Sequence, residues 1–213
     1  MTVDVVSDII CPWCFIGKRR LESAAKLLDC IIEIRWHPFQ LNPGMPSEGI
    51  SRREYRVAKF GSWEYSQQLD ARVAENGSQA GIEFRYDRME RTPNSFRGHV
   101  LLAAALRHGT AVQNQVAETL FTGYFTEGLD VGDVTVLRSI AREAGVDIDL
   151  DDPELTAYVR AEEQASREAG VQGVPLIKYK GAIVSEGAAP SEMIAARLRE
   201  LEPRELQSGD ACK

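Results

Sequence analysis

The sequence predicts an α/β fold in which a βαβ unit opens the chain, a ββα unit closes it, and a long helical stretch separates the two. Near the N-terminus, two apolar runs flank a segment with helical periodicity, and near the C-terminus two short apolar runs precede a last helical segment. Between residues 51 and 169 the apolar spacing is helical throughout. The 213 residues therefore form one large domain, or a core domain that carries an insertion.

The first half of the core is predicted from residues 1–50. Alternating valines over residues 2–8 indicate a strand, and the apolar positions from Phe15 to Leu28 indicate a helix. Residues 31–36 indicate a second strand, which we expect to lie parallel to the first. The proline-rich segment 37–44 that follows cannot be helical.

The insertion, residues 51–169, is predicted to be all helical. Ser51 and Glu54 form a plausible capping box at its start, and the helices are expected over residues 51–77, 94–108, 111–127, 133–144 and 153–169. The second half of the core, residues 170–202, is predicted to hold strands over 174–179 and 182–184 and a helix over 191–201. Residues 203–213 are predicted to be a flexible tail because they contain little apolar surface.

Charge and hydropathy exclude several classes of partner. The chain has 32 acidic and 25 basic residues, and a net charge of −7 argues against general binding to nucleic acid or to anionic membranes. No run approaches the roughly 18 apolar residues of a membrane span, and the N-terminal residues show no secretory signal pattern. We therefore expect a cytoplasmic protein, either a monomer or a homodimer.

The motif Cys11-Pro12-Trp13-Cys14 is the part of the sequence that indicates a chemical activity. Two thiols three positions apart at the start of a helix can be joined and parted without moving the backbone. The helix N-terminus favours a thiolate, so Cys11 is expected to be the acidic, exposed nucleophile and Cys14 the resolving thiol. Pro12 and Trp13 are expected to tune the redox potential, and without a histidine between the cysteines we expect a mild oxidant.

A CxxC motif has an alternative interpretation, in which it supplies two of the ligands of a zinc site. Such a site needs further ligands, but Cys30 and Cys212 form no second CxxC, and the three histidines lie in separate segments. The sequence therefore predicts no metal site. Cys30 is expected to be a small buried hydrophobe, and Cys212 a bystander on the tail or an additional resolving thiol.

The motif and the order of elements resemble the DsbA family, and its FrnE-like branch in particular. The resemblance rests on Asp8 followed by Cys-Pro-Trp-Cys-Phe-Ile-Gly-Lys, on the run 38–43, on Asn94-Ser95 with His99, and on Gly173-Val174-Pro175. It implies a thioredoxin-like α/β fold with a large all-helical insertion. The sequence departs from the family pattern at residues 184–190, where one residue is added and a glutamine is missing, and this puts substrate contacts in doubt.

The resemblance also implies a substrate-binding surface. In this family the proline before the third strand is cis and packs against the disulfide, so Val174–Pro175 is expected to be cis and the Val174 backbone to pair with an extended substrate. Asn94 and His99 are expected to line the same groove, although a helix cap and a buried histidine are the simpler roles. A basic cluster on the next helix could attract glutathione or an acidic substrate: Arg52, Arg53, Arg56 and Lys59.

These features predict a thiol-disulfide oxidoreductase that exchanges disulfides with proteins or glutathione and needs no cofactor besides its own redox-active disulfide. A glutathione-dependent isomerase or transferase, similar to hydroxychromene-carboxylate isomerases and kappa-class glutathione transferases, is one alternative, although those enzymes usually have serine where Cys11 stands. A non-enzymatic module that binds clients or zinc is the other alternative.

Overall fold

A computed structural model describes residues 1–202 of the chain. Its strands are β1 (Thr2–Ser7), β2 (Glu33–Pro38), β3 (Ile50–Ser51), β4 (Arg91–Thr92), β5 (Leu176–Tyr179) and β6 (Ala182–Glu186). Its α-helices are α1 (Pro12–Leu28), α2 (Arg52–Phe60), α3 (Trp63–Gln79), α4 (Phe96–Leu106), α5 (Thr110–Thr122), α6 (Val134–Glu143), α7 (Pro153–Glu168) and α8 (Ser191–Leu201).

The main sheet has the strand order β2-β1-β5-β6 and joins the two ends of the chain. β1 and β2 are parallel, with Val3 opposite Ile34, so the predicted βαβ unit is confirmed. β5 runs antiparallel to β1, with Ile177 opposite Val5, and β6 runs antiparallel to β5. Because β1 is central, the residues that follow its last position lie at the middle of one sheet edge. The motif with the two cysteines occupies that position.

Two of the predicted helices end earlier than their apolar pattern indicates. The segment predicted as one helix over residues 51–77 is two helices, because Gly61 adopts φ +89° and Ser62 then caps α3 by accepting a hydrogen bond from the Tyr65 N–H at 3.1 Å. The helix predicted over residues 111–127 is α-helical only to Thr122 and continues as a π-helical segment over Gly123–Glu127.

The insertion is mostly helical, as predicted, and it also contains two short strands. Ile50 and Ser51 pair with Thr92 and Arg91 in a two-stranded antiparallel sheet, and a turn of 3₁₀ helix precedes β4 at Tyr86–Arg88. Strands of two residues are too short to show an alternating pattern in the sequence. The small sheet ties the start of α2 to the segment that leads into α4.

One continuous hydrophobic core unites the insertion with the sheet. Phe15, the residue after the second cysteine of the motif, stacks on Phe121 of α5 with ring centroids 5.3 Å apart. The Phe84 ring meets the Phe15 ring edge-on at 6.1 Å. Aromatic pairs of this kind contribute about 0.5–1.5 kcal/mol each beyond their buried area. The helix that carries the cysteines therefore rests on the insertion.

A charged contact on α1 makes the stability of the fold depend on pH. Lys18 is 3% exposed and lies 2.8 Å from a carboxylate oxygen of Glu118 on α5, and Arg19 donates to the same carboxylate. Burial alone would raise the pKa of Glu118, but the hydrogen bonds from Arg19 and Lys18 outweigh burial and lower that pKa to about 2. A carboxylate whose pKa falls on folding stabilises the fold above its unfolded pKa, and this contribution is lost as the pH falls.

Glu118→Gln is therefore expected to lower the free energy of unfolding at pH 7 by about 1–2 kcal/mol, after allowance for the partial exposure of the carboxylate. The difference from the wild type should shrink as the pH falls from about 5 towards 2, because the wild-type carboxylate then also loses its charge. Urea unfolding at a series of pH values measures it. Glu200→Gln, in an exposed pair with Arg197, is the control and should change stability by less than about 0.5 kcal/mol. If Glu118→Gln lowers the free energy of unfolding by the same amount at every pH, the stabilisation does not come from the charge of Glu118.

Candidate active site

Cys11 lies immediately before α1 and takes the N-cap position, with Pro12 as the first helical residue. The prediction that Pro12 occupies the first turn is confirmed. The backbone carbonyl of Cys11 accepts hydrogen bonds from the N–H of Cys14 at 3.0 Å and of Phe15 at 3.4 Å, which closes the first turn of the helix. This turn brings both cysteines to the start of α1, and both are thiols in this structure.

Cys14 lies inside the protein and has no exposed surface. Burial, together with the neighbouring Cys11 thiol, raises the pKa of Cys14 well above its ordinary value. Smaller contributions from Ser7 and from the Asp8 backbone act in the opposite direction. The two thiols are therefore chemically different, and Cys14 is held in its protonated form at neutral pH.

Cys11 is only 4% exposed, which corrects the prediction of an exposed nucleophile. Its thiol donates a hydrogen bond to the backbone carbonyl of Val174, with the sulfur 3.6 Å from the oxygen. The loop before β5 contacts the sulfur, and this contact is not visible in the local sequence. Cys11 and Trp13 both line an adjoining cavity, and Trp13 is 36% exposed.

The Val174–Pro175 peptide bond is cis, as the resemblance implies, and Pro175 is buried against α1. The close approach depends on Gly17, because a Cβ at this position would lie 3.0 Å from Pro175 Cγ. The helix that presents Cys11 and the loop that presents the Val174 carbonyl are thus in direct contact.

The segment that departs from the family pattern supports this loop. The Gly187 N–H donates to the Pro175 carbonyl at 2.8 Å, and the Ser185 hydroxyl donates to the Gly187 carbonyl at 2.8 Å. Arg20 of α1 donates to the Ala188 carbonyl. The segment therefore lies behind Pro175 and holds it against α1.

Asp8 joins the cysteine loop to the turn-rich segment 37–44. Its side chain is fully buried, and one carboxylate oxygen accepts a hydrogen bond from the Leu41 N–H at 2.7 Å while the other accepts from the Ile10 N–H at 3.4 Å. Its backbone carbonyl accepts from the Cys11 N–H at 3.0 Å. Asp8 is therefore a positioning residue for the first cysteine.

A cavity of about 400 Å³ opens beside Cys11, between α1, α2, α3 and the segment before β4. Apolar side chains form its floor, and basic residues of α2 and α3 stand at its edge. Two members of the predicted basic cluster share one carboxylate there, because Arg52 and Arg56 each lie 2.6 Å from an oxygen of Asp70. The apolar side chains on its wall include Ile10, Leu41, Phe60, Leu69, Val73, Met89 and Phe125.

Asn94 does not line this cavity. Its amide nitrogen donates to the Met45 carbonyl at 2.6 Å, and its amide oxygen accepts from the Phe96 N–H at 2.9 Å and from the Gln40 amide at 3.3 Å. Ser95 is the N-cap residue of α4 and its side chain makes no capping hydrogen bond, so Asn94, one position earlier, is the side chain that accepts from the first helical N–H. It lines a separate surface cleft, together with Arg97 and Arg160.

His99 also lies away from the cavity and is 2% exposed. Its Nε2 atom is 3.4 Å from a carboxylate oxygen of Asp8, which is an electrostatic contact without hydrogen-bond geometry. The histidine is therefore placed behind Asp8, where it can affect the site only through that residue.

Sequence reasoning missed Asn42, Tyr55 and Tyr86, three polar residues on the wall of the cavity. Asn42 lies in the run 38–43 that carried the resemblance, so its segment was noted but its side chain was not. Tyr86 follows no periodic pattern, because the 3₁₀ turn that presents it is short.

Among residues 1–202, no three or more histidine, cysteine or acidic side chains are grouped so that they could bind a metal ion. Within the same range, no helix has both the length and the apolar character that a membrane crossing requires. Cys30 lies beyond the end of α1 and is partly buried against the core. Cys212 and the rest of the predicted tail lie outside the described residues.

The model of the DSBA-like thioredoxin domain matches residues 2–199. This chain belongs to the DsbA family. The thioredoxin-like α/β fold that the resemblance implied is therefore confirmed. YwbO, an uncharacterized protein of Bacillus subtilis, is 29% identical to this DsbA-family chain over 148 residues, which is 68% of this chain and 66% of YwbO.

Solved structures of similar fold include several disulfide enzymes. A probable DsbA oxidoreductase of Streptomyces coelicolor is 26% identical, with a TM-score of 0.79 over 96% of this chain and 91% of its own. The cytosolic disulfide reductase DsbM of Pseudomonas aeruginosa, also solved with GSH, is 18% identical, with a TM-score of 0.64 over 95% and 100%. A 2-hydroxychromene-2-carboxylate isomerase is 16% identical, with a TM-score of 0.67 over the full length of both chains.

Proposed function

We propose that this DsbA-family protein is a thiol-disulfide oxidoreductase in which Cys11 is the nucleophile and Cys14 the resolving thiol. The proposal rests on the different surroundings of the two cysteines. Cys11 caps a helix and adjoins a cavity, whereas Cys14 is fully buried and its pKa is raised. A substrate can therefore reach only the first sulfur, and the second sulfur acts from within the protein.

The reaction proceeds in two exchanges. The Cys11 thiolate attacks one sulfur of a substrate disulfide, a Cys11–substrate disulfide forms, and the other half of the substrate leaves as a thiolate. Cys14 then gives up its proton and attacks the Cys11 sulfur, which releases the second half of the substrate and forms the Cys11–Cys14 disulfide. The protein loses two electrons and the substrate gains two. Cys14 releases one proton and the Cys11 thiol released the other when it ionised, and these two protons convert the leaving thiolates into thiols. The reverse sequence donates a disulfide.

The Val174 carbonyl is the backbone contact that we assign to the substrate. It lies 3.6 Å from the Cys11 sulfur, so an extended substrate that replaces this hydrogen bond would place its own sulfur beside Cys11. Asn94 and His99, which the sequence placed among substrate-binding residues, support the site through the scaffold in this proposal. Pro12 and Trp13 set the surroundings of the two sulfurs and so tune their potential.

We further propose that the pair acts as a reductase in the cytoplasm, with a thiol such as glutathione as the source of electrons. The fold of the cytosolic reductase DsbM, solved with GSH, supports this direction. In a reducing compartment most dithiols of moderate potential are kept reduced, and a reduced Cys11 is ready to attack.

A titration in glutathione redox buffers tests the proposal, with Trp13 fluorescence as the signal and mass spectrometry to identify the disulfide. We expect one reversible two-electron transition that links Cys11 to Cys14, and no such transition in Cys11→Ser. The midpoint then gives the direction of exchange in a compartment of known potential. Bound glutathione without any transition would reject the oxidoreductase in favour of the isomerase type, whose fold this chain shares.

A further inference from the structure

A chain of three side chains orients one amide into the cavity beside Cys11. Lys59 donates a hydrogen bond to the Tyr55 hydroxyl at 2.6 Å, and that hydroxyl donates to the amide oxygen of Asn42 at 2.9 Å. Lys59 can only donate, and the Tyr55 hydroxyl donates its one proton to the amide oxygen, so the hydrogen bonds run in one direction along the three groups. The amide oxygen of Asn42 is thus turned towards Tyr55 and its NH₂ group is left over.

That NH₂ group has no hydrogen-bond partner in the part of the chain that the structure describes, although the nitrogen is buried. The hydroxyl of Tyr86, on the wall of the same cavity, is buried and has no partner there either. Leaving a buried polar group without a partner costs about 1–3 kcal/mol, so such groups are expected to be paired in the working state. Two unpaired donors in one cavity indicate a ligand that brings acceptors.

The charges around the cavity indicate that these acceptors are anionic. Asp70 is the acidic residue on the cavity wall, and both of its oxygens are taken by Arg52 and Arg56. Lys59 and Arg72 add two further positive charges at the edge. The donors and cations together favour a carboxylate, and the apolar floor beneath them accommodates a short aliphatic chain.

We propose that this cavity binds the carboxylate of a small thiol or disulfide and that Asn42 and Tyr86 are the residues that select it. The inference deepens the proposed function, on which it rests, by naming the substrate class of the same site. A small molecule suits a recess of about 400 Å³ that lies beside the sulfur, whereas a protein strand would follow the Val174 backbone. The sulfur of the ligand reaches Cys11 while its carboxylate accepts from the two donors.

Three disulfides of similar length and different charge test the proposal on the wild-type protein. Dithiodipropionate carries a carboxylate on each half, hydroxyethyl disulfide is neutral and cystamine is cationic. We expect kcat/KM for the acidic disulfide to exceed that for the neutral one by about tenfold or more and to fall with added salt, with cystamine the slowest. Equal rates for all three would overturn the inference and leave the oxidoreductase intact, whereas no reduction of any of them would overturn the proposed function itself.

Two variants then locate the selection. Asn42→Asp replaces the free donor by a negative oxygen, and Tyr86→Phe removes only the unpaired hydroxyl; each should lower the acidic-to-neutral preference by about tenfold, mainly through KM. Tyr65→Phe, which alters an exposed tyrosine of α3 outside the cavity, is the matched control. Urea unfolding checks that each variant is folded. If both variants keep the wild-type preference for the acidic disulfide, Asn42 and Tyr86 are not the residues that select the carboxylate.

The carboxylate that binds in the cavity can belong to a small molecule or to an acidic segment of a protein. Comparing glutathione disulfide with the protein disulfides of insulin as substrates distinguishes these two sources. With a small-molecule site, the two variants should slow the reduction of glutathione disulfide by about tenfold relative to that of insulin. An equal loss on both substrates would reject a site for small acids in favour of an acidic segment of a protein.

Discussion

Cys14→Ser is expected to lower the rate of disulfide turnover by about 10³-fold or more and to leave the protein joined to its substrate. Cys11 still attacks the substrate disulfide in this variant, but the sulfur that would displace the bound half is missing. Incubation with glutathione disulfide should therefore yield a stable adduct at Cys11, which intact-protein and peptide mass spectrometry identify. Cys11→Ser should lose turnover to the same extent and form no adduct at position 14, because Cys14 is fully buried and its pKa is raised.

The two remaining cysteines supply the controls. Cys30→Ser and Cys212→Ser should each keep the wild-type rate if the motif contains the complete redox pair. An adduct on Cys14 in Cys11→Ser, at a rate like that of Cys11 in the wild type, would show that the roles are reversed. Turnover that survives Cys14→Ser but not Cys14→Ser with Cys212→Ser would identify Cys212 as a resolving thiol.

Asp70→Asn is expected to cause the largest loss of stability, about 3–5 kcal/mol in the free energy of unfolding. The carboxylate of Asp70 accepts from Arg52 and Arg56 at 2.6 Å each, and the side chain of Arg52 is only 6% exposed. Without the negative charge, two largely buried guanidinium groups lie close together with no anion between them, although Arg56 keeps its hydrogen bonds to Ser66. Urea unfolding followed by circular dichroism measures the difference.

Asp87→Asn is the matched control, because Asp87 pairs with Arg85 at 2.7 Å on the surface and its side chain is 63% exposed. Solvent screens a surface pair of this kind, so the control should change stability much less than Asp70→Asn does. Equal effects of the two substitutions would show that the contacts between Asp70 and the two arginines do not anchor α2 to α3.

The redox motif and the sheet could be predicted because their determinants are local. Alternating valines define β1, the proline of the motif sets the start of α1, and the spacing of the two cysteines requires no long-range information. The sequence also indicated the break between α2 and α3, because a glycine is followed there by a serine that can cap a helix. The continuous apolar pattern across this point nevertheless favoured a single helix.

The ligand-binding part of the site could not be predicted, because it depends on contacts between distant segments. Asn42 comes from the loop after β2, Tyr55 from α2 and Tyr86 from the turn before β4, and no periodicity connects them. The burial of Cys11 has the same origin, since its cover comes from Val174, 163 positions away. The place of Asn94 in a resembling motif suggested a substrate contact, which stays a prediction, and its hydrogen bonds to the Met45 carbonyl and the Phe96 N–H could not be read from the motif.

The stack of Phe15 on Phe121 bears on how the two parts of this protein can change. Phe15 is the immediate neighbour of Cys14, and its partner belongs to the insertion. The insertion therefore supports α1, and a shortened chain that kept only the sheet, α1 and α8 would lose this aromatic contact. We expect that substitutions in the lining of the cavity can alter the substrate, whereas the aromatic layer beneath the cysteines has to be preserved.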